Sequence, residues 1–198
     1  MKIICAMAAT MSLWLVTGDA RAQANWPEQP VRILVGFTPG VAPDITSRIF
    51  ADKFSAAWGK PVVVENVSGA GGNIATDRTA KAPPDGYTLI MGGNASLVFS
   101  PSMYDKLAYD PIKDFVPITQ VFIAANVLCV PIDSPIKSLK ELVALARAQP
   151  GTLTYAHAGA GTSQHLGAEL LKYIEHIDIA PVAYRGTTAL LPDRSPGA

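Results

Sequence analysis

The strongest constraint on the fold is the alternation of short apolar runs with stretches that carry apolar residues at helical spacing. Strand-like apolar runs at residues 31–36, 61–65 and 87–91 are separated by helix-like segments at residues 44–58 and 74–82. Strands that alternate with helices are typical of a parallel sheet covered by helices on both faces. The first part of the chain is therefore predicted to be an α/β domain.

A second α/β unit follows a break in this pattern. Residues 115–123 and 126–131 are two apolar segments too close together to enclose a helix, and we expect them to mark the crossing into a second domain. Beyond them the spacing predicts a helix, a strand, a helix and a strand over residues 138–149, 153–156, 162–174 and 179–184. We predict a first α/β domain over residues 25–115 and a second over residues 116–198.

The N-terminus has the pattern of a secretory signal peptide. A basic start at Lys2 is followed by a mostly apolar run over residues 3–17 and by small residues at Ala22 and Ala24. The run is shorter than the roughly 20 residues that a membrane-spanning helix needs. We predict a signal peptide over residues 1–24, which would place the mature protein in the periplasm.

Charge and cysteine content narrow the class further. The 16 Lys and Arg residues balance 16 Asp and Glu residues, which disfavours a nucleic-acid binder that works through a basic surface. After residues 1–24 only Cys129 is left, so no intramolecular disulfide is expected. Because Cys129 lies in an apolar run, we expect a buried structural thiol.

Four loops connect the carboxyl ends of predicted strands to the following helices. They occupy residues 36–44, 66–73, 92–96 and 157–163. In parallel α/β sheets such loops line the binding crevice, and each helix start offers unpaired N–H groups to an anion. Neither the loops nor the helix starts that follow contain Lys or Arg. Backbone N–H groups, hydroxyls and amides are therefore expected to hold a small carboxylate.

Ordinary turn chemistry is an alternative explanation for each loop. Glycines would supply positive φ angles, and Asp44, Asn73 and Thr162 would cap helices. This alternative suffices for a single loop. Four such loops at matching positions favour a ligand site.

A hydrolytic enzyme, instead of a binding protein, is a further alternative. Ser163 and His165 would serve an esterase-like hydrolase, but His165 stands where the nucleophile elbow needs a second glycine. His165 and His176 would lie about 16 Å apart along a helix and cannot share a metal. The third glycine of the dinucleotide fingerprint is also missing after Gly71. We therefore expect no enzyme, no cofactor and no metal.

Six motifs in chain order resemble the Bug family, the extracytoplasmic solute receptors of tripartite tricarboxylate transporters. They include the loop that follows Val35, the Pro84-Asp85-Gly86-Tyr87-Thr88-Leu89 turn and Gly161-Thr162-Ser163 with His165. The motifs lie within residues 35–44, 62–73, 84–89, 109–115, 137–142 and 159–166. The resemblance covers the chain from Trp26 to Gly186.

The resemblance implies a type II periplasmic-binding-protein fold, in which two α/β domains with mostly parallel sheets close on a small organic carboxylate. It also implies a non-enzymatic, monomeric receptor that delivers this ligand to the membrane subunits of the transporter. Carried over by position, the ligand-binding residues would be Phe37, Thr38, Pro39, Gly40, Asp44, Asn73, Gly93, Asn94, Ala95, Gly161, Thr162, Ser163 and His165.

The sequence departs from the family pattern at two places. Val41 and Pro43 stand where the family usually has a glycine and a small polar residue, so the shape of the first loop is expected to differ. The family continues well beyond Gly186, whereas residues 192–198 resemble nothing in it. We expect a fold that is incomplete at its C-terminus, poorly soluble and weak in carboxylate binding, with a non-functional receptor fragment as the alternative.

Overall fold

The computed structural model describes residues 26–184 together with residues 186 and 189, and the predicted signal peptide lies outside this part of the chain. The first of two parallel sheets contains strands β1 (Val31–Val35), β2 (Val62–Asn66) and β3 (Thr88–Met91) in the order β2-β1-β3. The central strand β1 is the most buried, as a strand between two neighbours should be. The predicted first α/β sheet is confirmed.

The helical elements that follow these strands begin within the last three residues of the predicted loops. Helix α1 spans Ala42–Trp58 and helix α2 spans Asn73–Ala80, while a π-helical turn over Ala95–Phe99 continues into helix α3 at Ser100–Met103. Ala51 of α1 is part of the buried core of β1 and β2, and Phe54 and Trp58 pack beside it. The C-terminal half of α1 therefore packs its apolar residues on the sheet, as its sequence predicts, whereas Ile45 and Ile49 in the N-terminal half are at least half exposed.

The second sheet pairs β4 (Thr154–His157) with β5 (Ala180–Ala183), also in parallel. Helix α4 (Leu139–Ala148) precedes β4, and helix α5 (Ser163–Glu175) connects the two strands. Its core consists of Leu142, Val143, Ala146, Ile177 and Ile179. These elements match the predicted ones to within two residues at each end.

The segment between α3 and α4 contains no helix or strand, although it is rich in apolar residues. Ile118, Ile123 and Val127 are 79%, 85% and 79% exposed. The prediction of a buried thiol at Cys129 is wrong, since this side chain is exposed. In the described part of the chain no strand pairs with this segment, so an apolar sequence alone does not bury it.

Helix α5 also differs from its sequence pattern. Its apolar stripe includes Leu170, Leu171 and Ile174, but only Leu171 packs against the second core. Leu170 and Ile174 are more than half exposed. Among the described residues, no helix is both long and apolar enough to cross a membrane.

Candidate carboxylate-binding site

Strand register brings the first three loops to one edge of the sheet. Val35 at the end of β1 lies opposite Asn66 on β2 and Met91 on β3. Because the strands are parallel, the chain leaves all three at the same edge. The loops that follow must therefore be neighbours.

Close backbone contacts confirm that these loops pack together. A Cβ atom added at Gly36 would lie 2.7 Å from the Cα of Gly72, which leaves no room for a side chain. A Cβ added at Gly93 would lie 3.2 Å from the ring of Phe37. The first loop is thus packed against both the second and the third.

The fourth loop reaches the same place from the second sheet. A Cβ added at Gly71 would lie 2.8 Å from the carbonyl oxygen of Ala160, and one at Gly161 would lie 3.1 Å from the sulfur of Met103. Gly186, just beyond β5, lies against Thr38 of the first loop. The structure therefore brings together the four loops that the sequence singles out, from both sheets.

The side chain of Asp44 makes hydrogen bonds and an ion pair that hold the first loop. Its buried carboxylate accepts hydrogen bonds from the Gly40 N–H at 2.8 Å and from Asn66 Nδ2 at 2.9 Å, and pairs with Arg48 at 2.9 Å. The hydrogen bond from Arg48 is the main reason that the pKa of Asp44 falls to about 2, and Gly40 and Asn66 add to it against the cost of burial. Asp44 therefore fixes the loop and neutralises the cation nearest to it.

Sequence reasoning did not select Asn66, although it holds the same loop. Its amide nitrogen donates to the carbonyl oxygen of Phe37 at 3.1 Å as well as to Asp44. The available signal is a polar residue at the end of the apolar strand β2, where the strand meets the loop edge. A polar group at that position satisfies backbone and carboxylate groups that the loop buries.

Asn73 is held from two sides at the start of α2. Its Oδ1 accepts a hydrogen bond from the Ser100 hydroxyl at 2.8 Å and lies 2.9 Å from the Tyr109 hydroxyl, which also donates to the Ser96 carbonyl at 2.6 Å. Tyr109 is buried, and this burial raises its pKa. With the amide oxygen engaged in this way, the amide nitrogen is the group that Asn73 offers as a donor.

Both hydroxyl groups of the fourth loop donate hydrogen bonds to other groups of the protein. Thr162 Oγ1 donates to the carbonyl oxygen of Gly159 at 2.7 Å, which closes the loop on itself. Ser163 Oγ donates to Asn126 Oδ1 at 3.1 Å. Asn126 lies in the segment that connects the two sheets. Sequence reasoning did not select Asn126, because nothing local marks a partner 37 residues away.

Two histidines support the fourth loop from below. His157 Nδ1 accepts a hydrogen bond from the Gly159 N–H at 3.2 Å, and His165 Nδ1 accepts one from the Gly161 N–H at 3.4 Å. The two rings lie 4.6 Å apart. In these contacts His165 accepts from the backbone and Ser163 donates to Asn126, so the two residues do not form the nucleophile and base pair of a hydrolase.

The helix starts at these loops have no side-chain caps. The N-cap positions of α1, α2 and α5 are Val41, Gly72 and Thr162, and none of them makes a side-chain cap hydrogen bond. The alternative in which Asp44, Asn73 and Thr162 cap these helices is therefore wrong. Helix α4, by contrast, has a side-chain cap, because the Ser138 hydroxyl accepts a hydrogen bond from the Glu141 N–H at 3.2 Å.

The remaining predicted residues differ in exposure. Pro39, Gly40 and Asn94 are exposed, while Ala95 is buried under the third loop. Two cavities of about 800 and 480 Å³ lie elsewhere, beside Tyr109 and beside α4, and none of the predicted ligand-binding residues lines them. Among the described residues, no group of three or more His, Cys, Asp or Glu residues is placed to hold a metal ion.

Two solved structures with the same fold carry small dicarboxylates. Rpa4515 of R. palustris, solved with adipate, matches with a TM-score of 0.80 and 35% identity over 85% of this chain and 56% of that chain. MatC from Rhodopseudomonas palustris, solved with bound malate, matches with a TM-score of 0.69 and 29% identity over 84% of this chain and 57% of that chain. Periplasmic binding protein BugD also matches, with a TM-score of 0.68 and 29% identity over 85% of this chain and 56% of that chain, so the fold is that of the periplasmic binding proteins.

The family follows from the sequence comparisons. The model of the tripartite tricarboxylate transporter family receptor matches residues 46–195, and the chain belongs to this family. Protein BugT of Bordetella pertussis is 31% identical over 191 residues, which cover 94% of this chain and 59% of BugT. The resemblance to the Bug family is therefore confirmed. The chain spans a little over half the length of the curated relatives it matches.

Proposed function

We propose that this chain supplies the ligand-binding loops of a periplasmic receptor for a small organic carboxylate, held by backbone N–H groups and neutral side chains. The observation that carries the proposal is the contrast between helix starts. Helices α1, α2 and α5 begin at the converging loops without side-chain caps, whereas α4, which begins elsewhere, is capped by Ser138. Uncapped N–H groups at a helix start are donors for an anion.

Dicarboxylates are the ligand class that fits best. Adipate and malate, found with Rpa4515 and MatC, each carry two carboxylates. The start of α5 lies beside the second sheet, and Asn73 lies beside the first. The backbone N–H groups of the one and the amide nitrogen of the other are separate groups of donors. One carboxylate on each group would bridge the two sheets.

The predicted ligand-binding residues take different roles in this proposal. Phe37, Gly93 and Gly161 shape the walls, and the side-chain amide of Asn73 and the backbone N–H of Ser163 donate hydrogen bonds to the ligand. Asp44 acts through Gly40, since its own negative charge would repel a carboxylate. His165 supports the loop backbone from the first turn of α5.

The biological setting is proposed from the family. The receptor would be exported by the predicted signal peptide, act as a monomer in the periplasm and deliver its ligand to the membrane subunits of a tripartite tricarboxylate transporter. Neither catalysis nor nucleic-acid binding is part of this role. The balanced charge of the chain supports this role, because a receptor for a small carboxylate needs no extended basic surface.

A proline scan at helix starts tests the proposal. Ser163 is the first residue of α5, and Thr162 before it has φ −68° and ψ 158°, a conformation that tolerates a following proline. Ser163→Pro removes one N–H donor while keeping the helix. Ser163→Ala removes only the hydroxyl, so the difference between the two variants isolates the backbone donor.

We expect Ser163→Pro to bind adipate or malate about 1.5 to 3 kcal/mol more weakly than Ser163→Ala, the value of a hydrogen bond to a charged group. Leu139→Pro, at the first position of the capped helix α4, is the matched control and should leave affinity unchanged. Calorimetric titration with each dicarboxylate measures the effect. Equal affinities for the two Ser163 variants would place the carboxylate elsewhere.

A further inference from the structure

The imidazoles of His157 and His165 pack against each other in a tilted arrangement beside the fourth loop and accept hydrogen bonds from it. His157 ends β4 and is 3% exposed, whereas His165 lies in the first turn of α5. The Gly159 N–H donates to His157 Nδ1, and the Gly161 N–H donates to His165 Nδ1. A ring nitrogen that accepts carries no proton, so both imidazoles are neutral in this arrangement with their protons on Nε2.

The surroundings of His165 favour its neutral form on balance, although one neighbouring carboxylate acts against it. Tyr155, whose ring lies 5.7 Å from that of His157, donates to Glu169 at 2.7 Å, and Lys172 pairs with the same carboxylate at 3.0 Å. Glu169 is therefore engaged by Tyr155 and Lys172. Burial lowers the pKa of His165, the proximity of His157 and Lys172 lowers it further, and Glu169 opposes them.

We infer that His157 and His165 are a positioning pair, which holds the loop over residues 157–162 in its cleft-lining shape only while both rings are neutral. This inference rests on the proposed function for its effect on ligand binding. Protonation turns each Nδ1 from an acceptor into a donor that faces another donor. A second proton would place two like charges on rings 4.6 Å apart.

Ligand affinity should therefore fall as the pH drops. The pKa of His165 lies below its usual value of 6.5 in the folded protein, so the neutral form dominates at and above that pH. The loop is lost as the pH falls through the lowered pKa. A histidine that bound the carboxylate directly as a cation would have the opposite effect, because affinity would rise as the ring gained its charge.

A ligand-free measurement tests the loop itself. Nitrogen NMR of the imidazoles reports the tautomer, and the amide signals of Gly159 and Gly161 report their hydrogen bonds. We expect the Nε2–H tautomer at about pH 8 and amide shifts that move together with the histidine titration at acidic pH. Amide signals that stay fixed while both rings gain protons would overturn the inference.

Variants then connect the loop to the ligand. Asparagine can place its Oδ1 close to the position of Nδ1 and accept the same hydrogen bond without titrating, whereas leucine cannot. The double variant His157→Asn/His165→Asn should lose the pH dependence, and His157→Leu should weaken adipate binding at every pH. His176→Asn is the matched control, because His176 is exposed at the C-terminal end of α5 with φ 51°, which asparagine tolerates.

We expect the adipate affinity of the wild type and of His176→Asn to fall about tenfold for each pH unit below the lowered pKa. The ionisation of adipate contributes equally to all variants and cancels in the comparison at each pH. An unchanged pH dependence in the double Asn variant, or tighter binding at low pH in the wild type, would overturn the inference. Failure of every variant to bind adipate or malate would instead contradict the proposed function, while the ligand-free titration still decides the inference.

Discussion

Single glycines set how closely the loops approach each other. Gly71 lies with φ +65° where the second loop meets the fourth, and a Cβ there would be 2.8 Å from a backbone oxygen. The glycine-rich loops are visible in the sequence, and so is their position after strands. The sequence does not reveal which glycine makes the contact between the loops of the two sheets, because Gly71 and Ala160 are distant in the chain.

Gly71→Ala should disturb the loops far more than the same change at Gly59. Both glycines have φ +65°, but a Cβ at Gly59 would meet nothing within 4 Å. Alanine in this left-handed conformation costs about 1 to 2 kcal/mol at either position. Gly71→Ala adds a clash with Ala160, so we expect at least about 1 kcal/mol more loss of unfolding free energy, together with weaker adipate binding. Urea unfolding and calorimetry measure both effects, and equal losses at the two positions would contradict the observed contact.

Asp44→Asn should destabilise the protein at neutral pH but not in strong acid. The folded state lowers the pKa of Asp44 from 3.8 to about 2. Its contribution to stability is therefore full above about pH 4 and is lost as the pH falls through about 2. We expect about 2 kcal/mol less unfolding free energy near pH 7, the value of hydrogen bonds to a charged group.

Denaturant unfolding at several pH values measures this difference. The exposed Asp52 on the same helix provides the control substitution Asp52→Asn, which should change stability little. A difference between wild type and Asp44→Asn that stays constant down to strong acid would show that the charge of Asp44 is not the stabilising feature.

At the scale of helices and strands, local periodicity predicts the elements well and their terminal hydrogen bonds poorly. The apolar spacing that defines α1, α4 and α5 is a property of neighbouring residues, so it can be read from sequence. The roles of Asn66 and Tyr109 depend on partners 13 to 36 residues away. Such contacts exist only once strand order is known, which explains why the sequence analysis missed them.

Tyr109→Phe should loosen the start of α2. The Tyr109 hydroxyl lies between the Ser96 carbonyl and Asn73 Oδ1, and it connects the π-helical turn to α2. Its removal leaves a buried carbonyl unpaired, so we expect a loss of about 1 to 3 kcal/mol in unfolding free energy. Tyr173→Phe is the control, since that side chain is 78% exposed. Thermal or urea unfolding compares the two, and equal stability would mean that the hydroxyl has no structural role.

At the scale of the whole molecule, burial depends on what covers each apolar face. Residues 115–131 are apolar in sequence, and this pattern predicted a buried Cys129. In the described part of the chain no strand pairs with the segment, and its side chains are largely exposed. Hydrophobicity predicts a tendency to be covered, whereas the covering element has to be supplied by the rest of the fold or by another molecule.

This exposed segment should make the chain self-associate at concentrations above those at which the proposed receptor acts as a monomer. Ile118, Ile123 and Val127 expose most of their apolar side chains along one segment, and exposed apolar surface drives association in water. The triple variant Ile118→Thr, Ile123→Thr and Val127→Thr removes much of it at sites with few packing contacts, so folding stability should change little. We expect sedimentation equilibrium to show a mass that rises with concentration for the wild type and much less for this variant.

A second triple variant tests whether position matters or only the number of apolar residues removed. Ile45→Thr, Ile49→Thr and Val98→Thr also replaces three side chains that are at least half exposed, but all three lie outside the segment. If residues 115–131 are the adhesive surface, this variant should associate as the wild type does. Equal suppression by both triple variants would indicate that association depends on total exposed apolar area. A wild type that stays monomeric at high concentration would mean that this segment is covered in solution.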